Sequence, residues 1–222
     1  MAVSVDTVYQ RVLTIANKEQ RGYITPQEFN LLASKAQLEI FENYFHDIKM
    51  AERKPKNQNG YADEVEMVYE KLHPFMATST SISAGPTYAL PSNLYKIDTI
   101  SYNGNEVVEL SKKEILYTEN NPLTKAATNR IVYVREPLSS FIRNIRLYPT
   151  PTLSDTYPQI AYWKIPIDPK WTFVVVSEKA LYNASASDAQ NFELDISEEE
   201  NLVTRILRLV GVIIKQPDIQ QA

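Results

Sequence analysis

The spacing of apolar positions changes twice along the chain. It is helical over roughly residues 3–76, strand-like with frequent turns over about 77–196, and helical again at the end. Val5, Val8, Val12 and Ile15 recur at helical steps and predict a short amphipathic helix ending near Gly22. The next start signal is unusually complete. Thr25 can cap, Pro26 takes the first helical position, and Glu28 closes a capping box, with Ile24 and Phe29 placed as a hydrophobic staple. A long helix from Thr25 to about Ala51 follows. On it Phe29, Leu32, Ala33, Ala36 and Ile40 share one face, while Leu31, Leu38, Phe41 and Phe45 form a second apolar stripe. A helix apolar on two sides must be covered on two sides. The second stripe is therefore a candidate inter-subunit contact, with a larger core of the chain's own as the alternative. Beyond the polar stretch KPKNQNG, Asp63 and Glu66 repeat the capping-box pattern and open a short helix that stops before Pro74.

In the middle zone, Ile97–Tyr102, the pair Asn103-Gly104 and Val107–Leu110 read as a hairpin, because Asn-Gly suits a type I′ turn. Further strands are expected at Arg130–Arg135, Asn144–Tyr148, Gln159–Lys164, Thr172–Val176 and Asn191–Ile196. Prolines at 149, 151, 158, 166 and 169 assign these strands to edges or end them. In the last zone Ser197 and Glu200 form a third capping box, with Glu198, Glu199 and Glu200 at the positive end of the helix dipole. Leu202, Val203, Ile206, Leu207, Leu209, Val210 and Ile213 then make a broad apolar face, and Pro217 ends the helix. That face is wide enough to be buried whole, against the N-terminal helices or in a partner. The fold class is thus α+β: an N-terminal helical bundle (1–76), a central antiparallel β-rich region (77–196), and a C-terminal helix and tail (197–222) interlocked with the bundle.

Composition narrows the function classes. Of 222 residues, 44% are hydrophobic and 23% charged, as in an ordinary globular protein. The net charge of −4 and pI of about 5.4 argue against binding that draws its energy from phosphates, yet allow a protein that surrounds DNA and lets it pass. Fourteen tyrosines suit interfaces, or simply strands. No cysteine is present, so disulfides, thiolate metal sites and cysteine nucleophiles are excluded. The opening MAVSVDTVYQRVL does not read as a signal peptide, and Leu202–Ile214 is too short and too charged to span a bilayer, so no membrane role is expected.

Candidate chemistry is sparse. Of the two histidines, His46 lies on the polar strip of the long helix and His73 at a helix end before Pro74; neither follows a Gly-x-Ser-x-Gly elbow. Glu39, Glu42 and His46 share a strip, but a di-metal bundle takes Glu-x-x-His pairs from facing helices, and Lys35 and Lys49 make this an ion-paired, solvated face. No phosphate loop or dinucleotide fingerprint exists. The basic run Lys49, Arg53, Lys54, Lys56 reads first as a solvated loop, second as a contact for phosphates or an acidic partner. We therefore expect no catalytic residue, cofactor or metal ligand. Two competing readings are a carbohydrate- or receptor-binding β-protein stacking sugars on Tyr162, Trp163 and Trp171, and a cell-wall hydrolase working through a carboxylate pair.

Four stretches carry a resemblance. RGYITPQEFNLLASKAQLEIFENYF resembles the opening segment of virion structural proteins from crAss-like and related short-tailed bacteriophages. TYALPSNLYKIDTISYNGNEV is similar to the entry into the β-region of tail tubular A-type adaptors, IRLYPTPT and IAYWKIPIDPKW to that family's paired strand ends, and FELDISEEENLVTRILRLVGVIIKQPDIQQ to its terminal segment. Each is loose alone, and together they cover most of the chain in the family's order. The resemblance implies a non-catalytic subunit of a ring, usually of twelve copies, in the head–tail neck of the virion, assembled in the host cytoplasm. Its partners would be other copies of itself, the portal protein above, further neck or tail proteins, and DNA sliding through the lumen. The portal-docking face would be Leu202, Val203, Ile206, Leu209, Val210 and Ile213. The chain stops five residues after Pro217, where some adaptors carry longer tails, so the resemblance does not fix the neck layer; a lower tail tube or nozzle subunit is the alternative among structural proteins.

Overall fold

The computed structural model describes residues 2–18, 24–53, 60–80, 87–139, 142–150, 158–177 and 179–213. In chain order the elements are helices α1 (Val5–Lys18), α2 (Pro26–Arg53) and α3 (Gly60–Leu72), then strands β1 (Met76–Thr80), β2 (Thr87–Ala89), β3 (Leu94–Tyr102), β4 (Asn105–Glu106) and β5 (Val108–Glu109). Helix α4 (Lys112–Asn120) precedes β6 (Val132–Ser139), β7 (Ile142–Tyr148), β8 (Gln159–Lys164), β9 (Phe173–Val176) and β10 (Lys179–Tyr182), and α5 (Glu199–Ile213) closes the series. Helices and antiparallel sheets both contribute, so the protein is of the α+β class. The chain divides into two compact units, Met1–Pro74 with Pro166–Ala222, and Phe75–Ile165. The expected β-rich zone of 77–196 is therefore split at Ile165, and residues 166–196 belong with the helices.

In the helical unit α2 is the central member, packed by both α3 and α5, and α5 also packs on α1. Thr25 caps α2 as its sequence predicts: the Glu28 carboxylate accepts from the Thr25 N–H at 2.9 Å, and the Glu28 N–H donates to the Thr25 hydroxyl at 3.3 Å. Ile24 and Phe29 are both buried at that turn. The Asp63 start falls inside α3, three residues past Gly60, and the side chains there lie outside the described residues, as does the expected end of α1 near Gly22. The start at Ser197 is also displaced. Asp195 is the cap: its side chain accepts from the Ser197 N–H at 3.0 Å, one 3-10 turn (Ile196–Glu198) forms, and α5 begins at Glu199.

Residues 166–195 form a strap on the helices in which, among the described residues, β9 and β10 pair with each other, Lys170 bridges Gln190, and the flanking stretches have no other strand partner than the Ala2 bridge. Asn191–Ile196, expected as a strand, makes only one bridge, Asp195 to Ala2. Side chains replace the missing sheet. Gln37, buried on α2, donates to the Ile167 carbonyl at 2.8 Å and accepts from the Glu193 N–H at 3.0 Å. Asn30 holds Trp171 in the same two-handed way, accepting from its N–H at 2.8 Å and donating to its carbonyl at 3.2 Å. Buried backbone groups need partners, and here two amides of one helix supply four.

The second unit is a pair of four-stranded sheets, ordered β1-β8-β3-β4 and β2-β7-β6-β5, around one shared core of Tyr88, Ile97, Ile100, Ile145, Leu147 and Ile160 among others. Alternation along β7 explains its placement: Ile145 and Leu147 point inward, Asn144 and Arg146 are half-buried. The Asn103-Gly104 turn forms with positive φ at both residues (49° and 77°), as the type I′ reading requires. Its return strand, however, is not Val107–Leu110. Pairing ends after Asn105–Glu106, buried Val107 donates to the Ile100 carbonyl at 2.8 Å, and Val108–Glu109 leaves to lie parallel to β6 in the other sheet. Helix α4, not foreseen, covers the outer face of β6 by burying Ile115 with Ala126, Val132 and Val134.

Candidate interaction surface

The apolar face of α5 is internal. Leu202 and Ile206 are fully buried, Val203 and Val210 nearly so, and Leu209 is half-buried, while the side chain of Ile213 lies outside the described residues. α5 packs on α1 and α2 of its own chain. This corrects the portal-docking assignment: α1 and α2 carry apolar stripes that need a cover, and α5 is the one they take. Its charged side also points back to the chain. Arg205 donates to Asn201 at 3.1 Å and lies 3.7 Å from Glu39 of α2.

The second stripe of α2 divides. Phe41 is fully buried and meets half-buried Phe45 edge-on at 5.1 Å, so Phe41 is not a free contact residue. Leu31 is 75% exposed and Leu38 39%, two turns apart on one side of the helix. They remain available. Tyr162, Trp163 and Trp171 are all buried, which removes the stacking platform on which a sugar-binding reading depended. Trp171 in particular is a core anchor, donating from its indole to Asp6 at 2.9 Å with its ring 4.3 Å from that of Tyr9.

The titratable residues sort into structural roles. Glu198 is buried and accepts from Lys71 at 2.6 Å and from Asn201 at 2.8 Å. Burial pushes its carboxyl upward, but the Lys71 and Asn201 hydrogen bonds outweigh this and hold it below its ordinary value. Burial and the same carboxylate drive the Tyr44 phenol far above its usual range. His46 is exposed, 3.7 Å from Asp47, and His73 is exposed in a one-turn 3-10 helix. Glu39 answers Lys35 and Arg205, so the polar strip is the ion-paired face its composition suggests. Among the described residues no group of three or more His, Asp or Glu is placed to hold a metal ion, and no helix is long and apolar enough to cross a membrane.

A cluster of half-exposed apolar residues lies in the β9–β10 hairpin. β9 and β10 pair only with each other, in the register Phe173↔Tyr182, Val174↔Leu181, Val175↔Ala180, Val176↔Lys179. Paired residues share a face and neighbours alternate, so Val174, Val176, Lys179 and Leu181 form one face of this hairpin and Phe173, Val175, Ala180 and Tyr182 the other. On the second face Phe173 and Tyr182 stack at 5.9 and 5.8 Å from Trp171, while Val175 is 63% exposed. The first face meets nothing of the kind: Val174, Val176 and Leu181 are 50%, 51% and 52% exposed. A signal was available in the run Phe-Val-Val-Val, which is apolar on both sides of a strand. Compared with family models the chain matches none, and no curated protein matches it.

Proposed function

We propose that the protein is a non-catalytic virion subunit that assembles with copies of itself into a ring in the head–tail neck of a short-tailed bacteriophage, below the portal and around the DNA path. The observation that carries the reading is the β9–β10 hairpin, which presents Val174, Val176 and Leu181, each about half exposed, side by side on one face of a two-stranded ribbon. A patch of this kind marks a contact with another macromolecule. The ordered resemblance to tail tubular A-type adaptors supplies the context, and the acidic balance suits a lumen that lets DNA slide. α5 no longer contributes, since its apolar face is inside the fold. A dock on the portal would use other surfaces, Leu31 and Leu38 among them.

The test is sedimentation and electron microscopy of the purified chain, alone and with isolated portal rings of its phage, together with imaging of intact virions. Ring-shaped oligomers, or copies seated beneath the portal, are expected. A chain that stays monomeric, ignores portal rings and is missing from the neck density overturns the proposal.

A further inference from the structure

The hairpin has a matching surface on its own chain. An open groove of about 480 Å³ lies between α1 and α5, lined by Gln10, Arg11, Thr14 and Ile15 of the first helix and Glu200, Val203 and Thr204 of the second. A cavity of ~150 Å³ accommodates a benzene ring, so a groove of this size takes several aliphatic side chains. Arg11 is already engaged by Glu199 at 3.1 Å, which leaves exposed Glu200 as the acidic group of the lining. The free face of the hairpin carries three aliphatic residues and a single cation, Lys179. Shape class and charge are complementary.

The two surfaces also engage different arcs of α1. The hairpin's base, Trp171, packs on Asp6 and Tyr9, which at 100° per residue sit about 60° apart around the helix. On the other side of Asp6 the groove residues Gln10, Thr14, Arg11 and Ile15 follow at about 40°, 80°, 140° and 180°. One copy thus offers its hairpin on one arc and its groove on another. That is the arrangement a head-to-tail contact needs, and repeated with a fixed rotation it closes a ring.

We infer that the β9–β10 hairpin of one copy seats its Val174, Val176 and Leu181 face in the α1–α5 groove of the next copy, with Lys179 meeting Glu200. The inference rests on the ring reading and names the contact that builds it. The chain contains no cysteine, so cross-linking is clean. Val176→Cys and Thr204→Cys are made as separate full-length proteins, mixed under mild oxidation, and resolved without reductant. A mixed disulfide between the two is expected. Lys179→Glu is expected to weaken association several-fold in sedimentation, and Lys179→Glu combined with Glu200→Lys to recover it. Wild-type rings whose cysteine variants do not cross-link, and whose association ignores Lys179→Glu, overturn this contact while the ring reading stands. Val176→Cys joining only to itself overturns it in favour of a two-fold contact. A wild-type chain that associates neither alone nor on isolated portal rings overturns both.

Discussion

Replacing Gln37 with Leu tests whether side-chain amides hold the strap that carries the hairpin. Gln37 is 1% exposed and makes two hydrogen bonds to backbone, to the Ile167 carbonyl and from the Glu193 N–H. Leucine is similar in size and fills the space, but it removes the partners of one carbonyl and one N–H. Ile167 is 52% exposed, so its carbonyl can turn to water, and the half-buried Glu193 N–H carries most of the cost, about 1–3 kcal/mol of the ~5–15 kcal/mol that stabilises a domain. At about 2–4 °C per kcal/mol for a chain of this length, the melting temperature falls by roughly 2–12 °C. Gln37→Ala removes the same bonds but makes room for a water that can bridge both groups, so it should be no worse than the leucine variant despite its cavity.

Hydrogen exchange gives the sharper readout, because the strap can loosen without global unfolding. The Glu193 amide should lose most of its protection in Gln37→Leu, with protection retained in the buried core of the second unit. Association should weaken in parallel, since β9 and β10 are carried by the same strap. A leucine variant that costs less than about 1 kcal/mol and leaves the Glu193 amide protected would refute the claim that these two bonds position the strap.

Ile206→Ala should cost about 2–5 kcal/mol in urea unfolding of the isolated chain, because the side chain is fully buried within its own fold; a face reserved for a partner would show almost no loss in the monomer. Ser111→Ala should cost about 1 kcal/mol and fray α4 in hydrogen exchange, since the Ser111 hydroxyl and the Glu114 carboxylate close a reciprocal box at 3.2 and 2.8 Å. Glu198 binds its proton less readily in the folded chain than at its ordinary value of 4.5, so the stability it contributes is present above that pH and drains away as the pH falls through and below it. Glu198→Gln should therefore flatten the acid limb of the stability–pH curve, and an unchanged limb would show that the Lys71 pair contributes nothing.

Some of this was legible in the residues and some was not, for physical reasons. Local signals with a complete chemistry read true: the Thr25 box and its staple, the Asn103-Gly104 turn, and the strand Gln159–Lys164. Failures came where tertiary partners decide. Val107–Leu110 looks like the second arm of a hairpin, yet Val107 is buried between two sheets and the chain changes sheet there. Ser111-x-x-Glu114 carries the same box pattern as Thr25 but opens a helix of weak amphipathic character inside a strand-rich zone, so no apolar period announces it. Asn191–Ile196 has strand-like residues, but its backbone is met by Gln37, which accepts from the Glu193 N–H, and by the Val3 N–H, which donates to the Leu194 carbonyl; neither follows a period. Amphipathicity states that a face must be covered and is silent on what covers it, which is why α5 was assigned to a partner and Phe173–Val176 was not.

That inversion bears on how such a ring would assemble. A chain that hid α5 only against its neighbours would be unstable alone, and folding would wait for assembly. With Leu202, Ile206 and Val210 inside, the subunit has its own core, and association can follow folding as a separate step. The remaining contact is modest. Val174, Val176 and Leu181, the face that enters the groove, are each about half exposed, and burying the remainder contributes roughly 2–4 kcal/mol in total. Bringing two molecules together costs ~4–15 kcal/mol, so one hairpin in one groove leaves a pair barely associated. A closed ring differs, because the last subunit makes two contacts for a single loss of freedom, and a portal that seats the subunits side by side removes most of that loss beforehand. Subunits of this design would stay dispersed until a template gathers them, and the concentration at which rings first form should drop sharply when the portal is added.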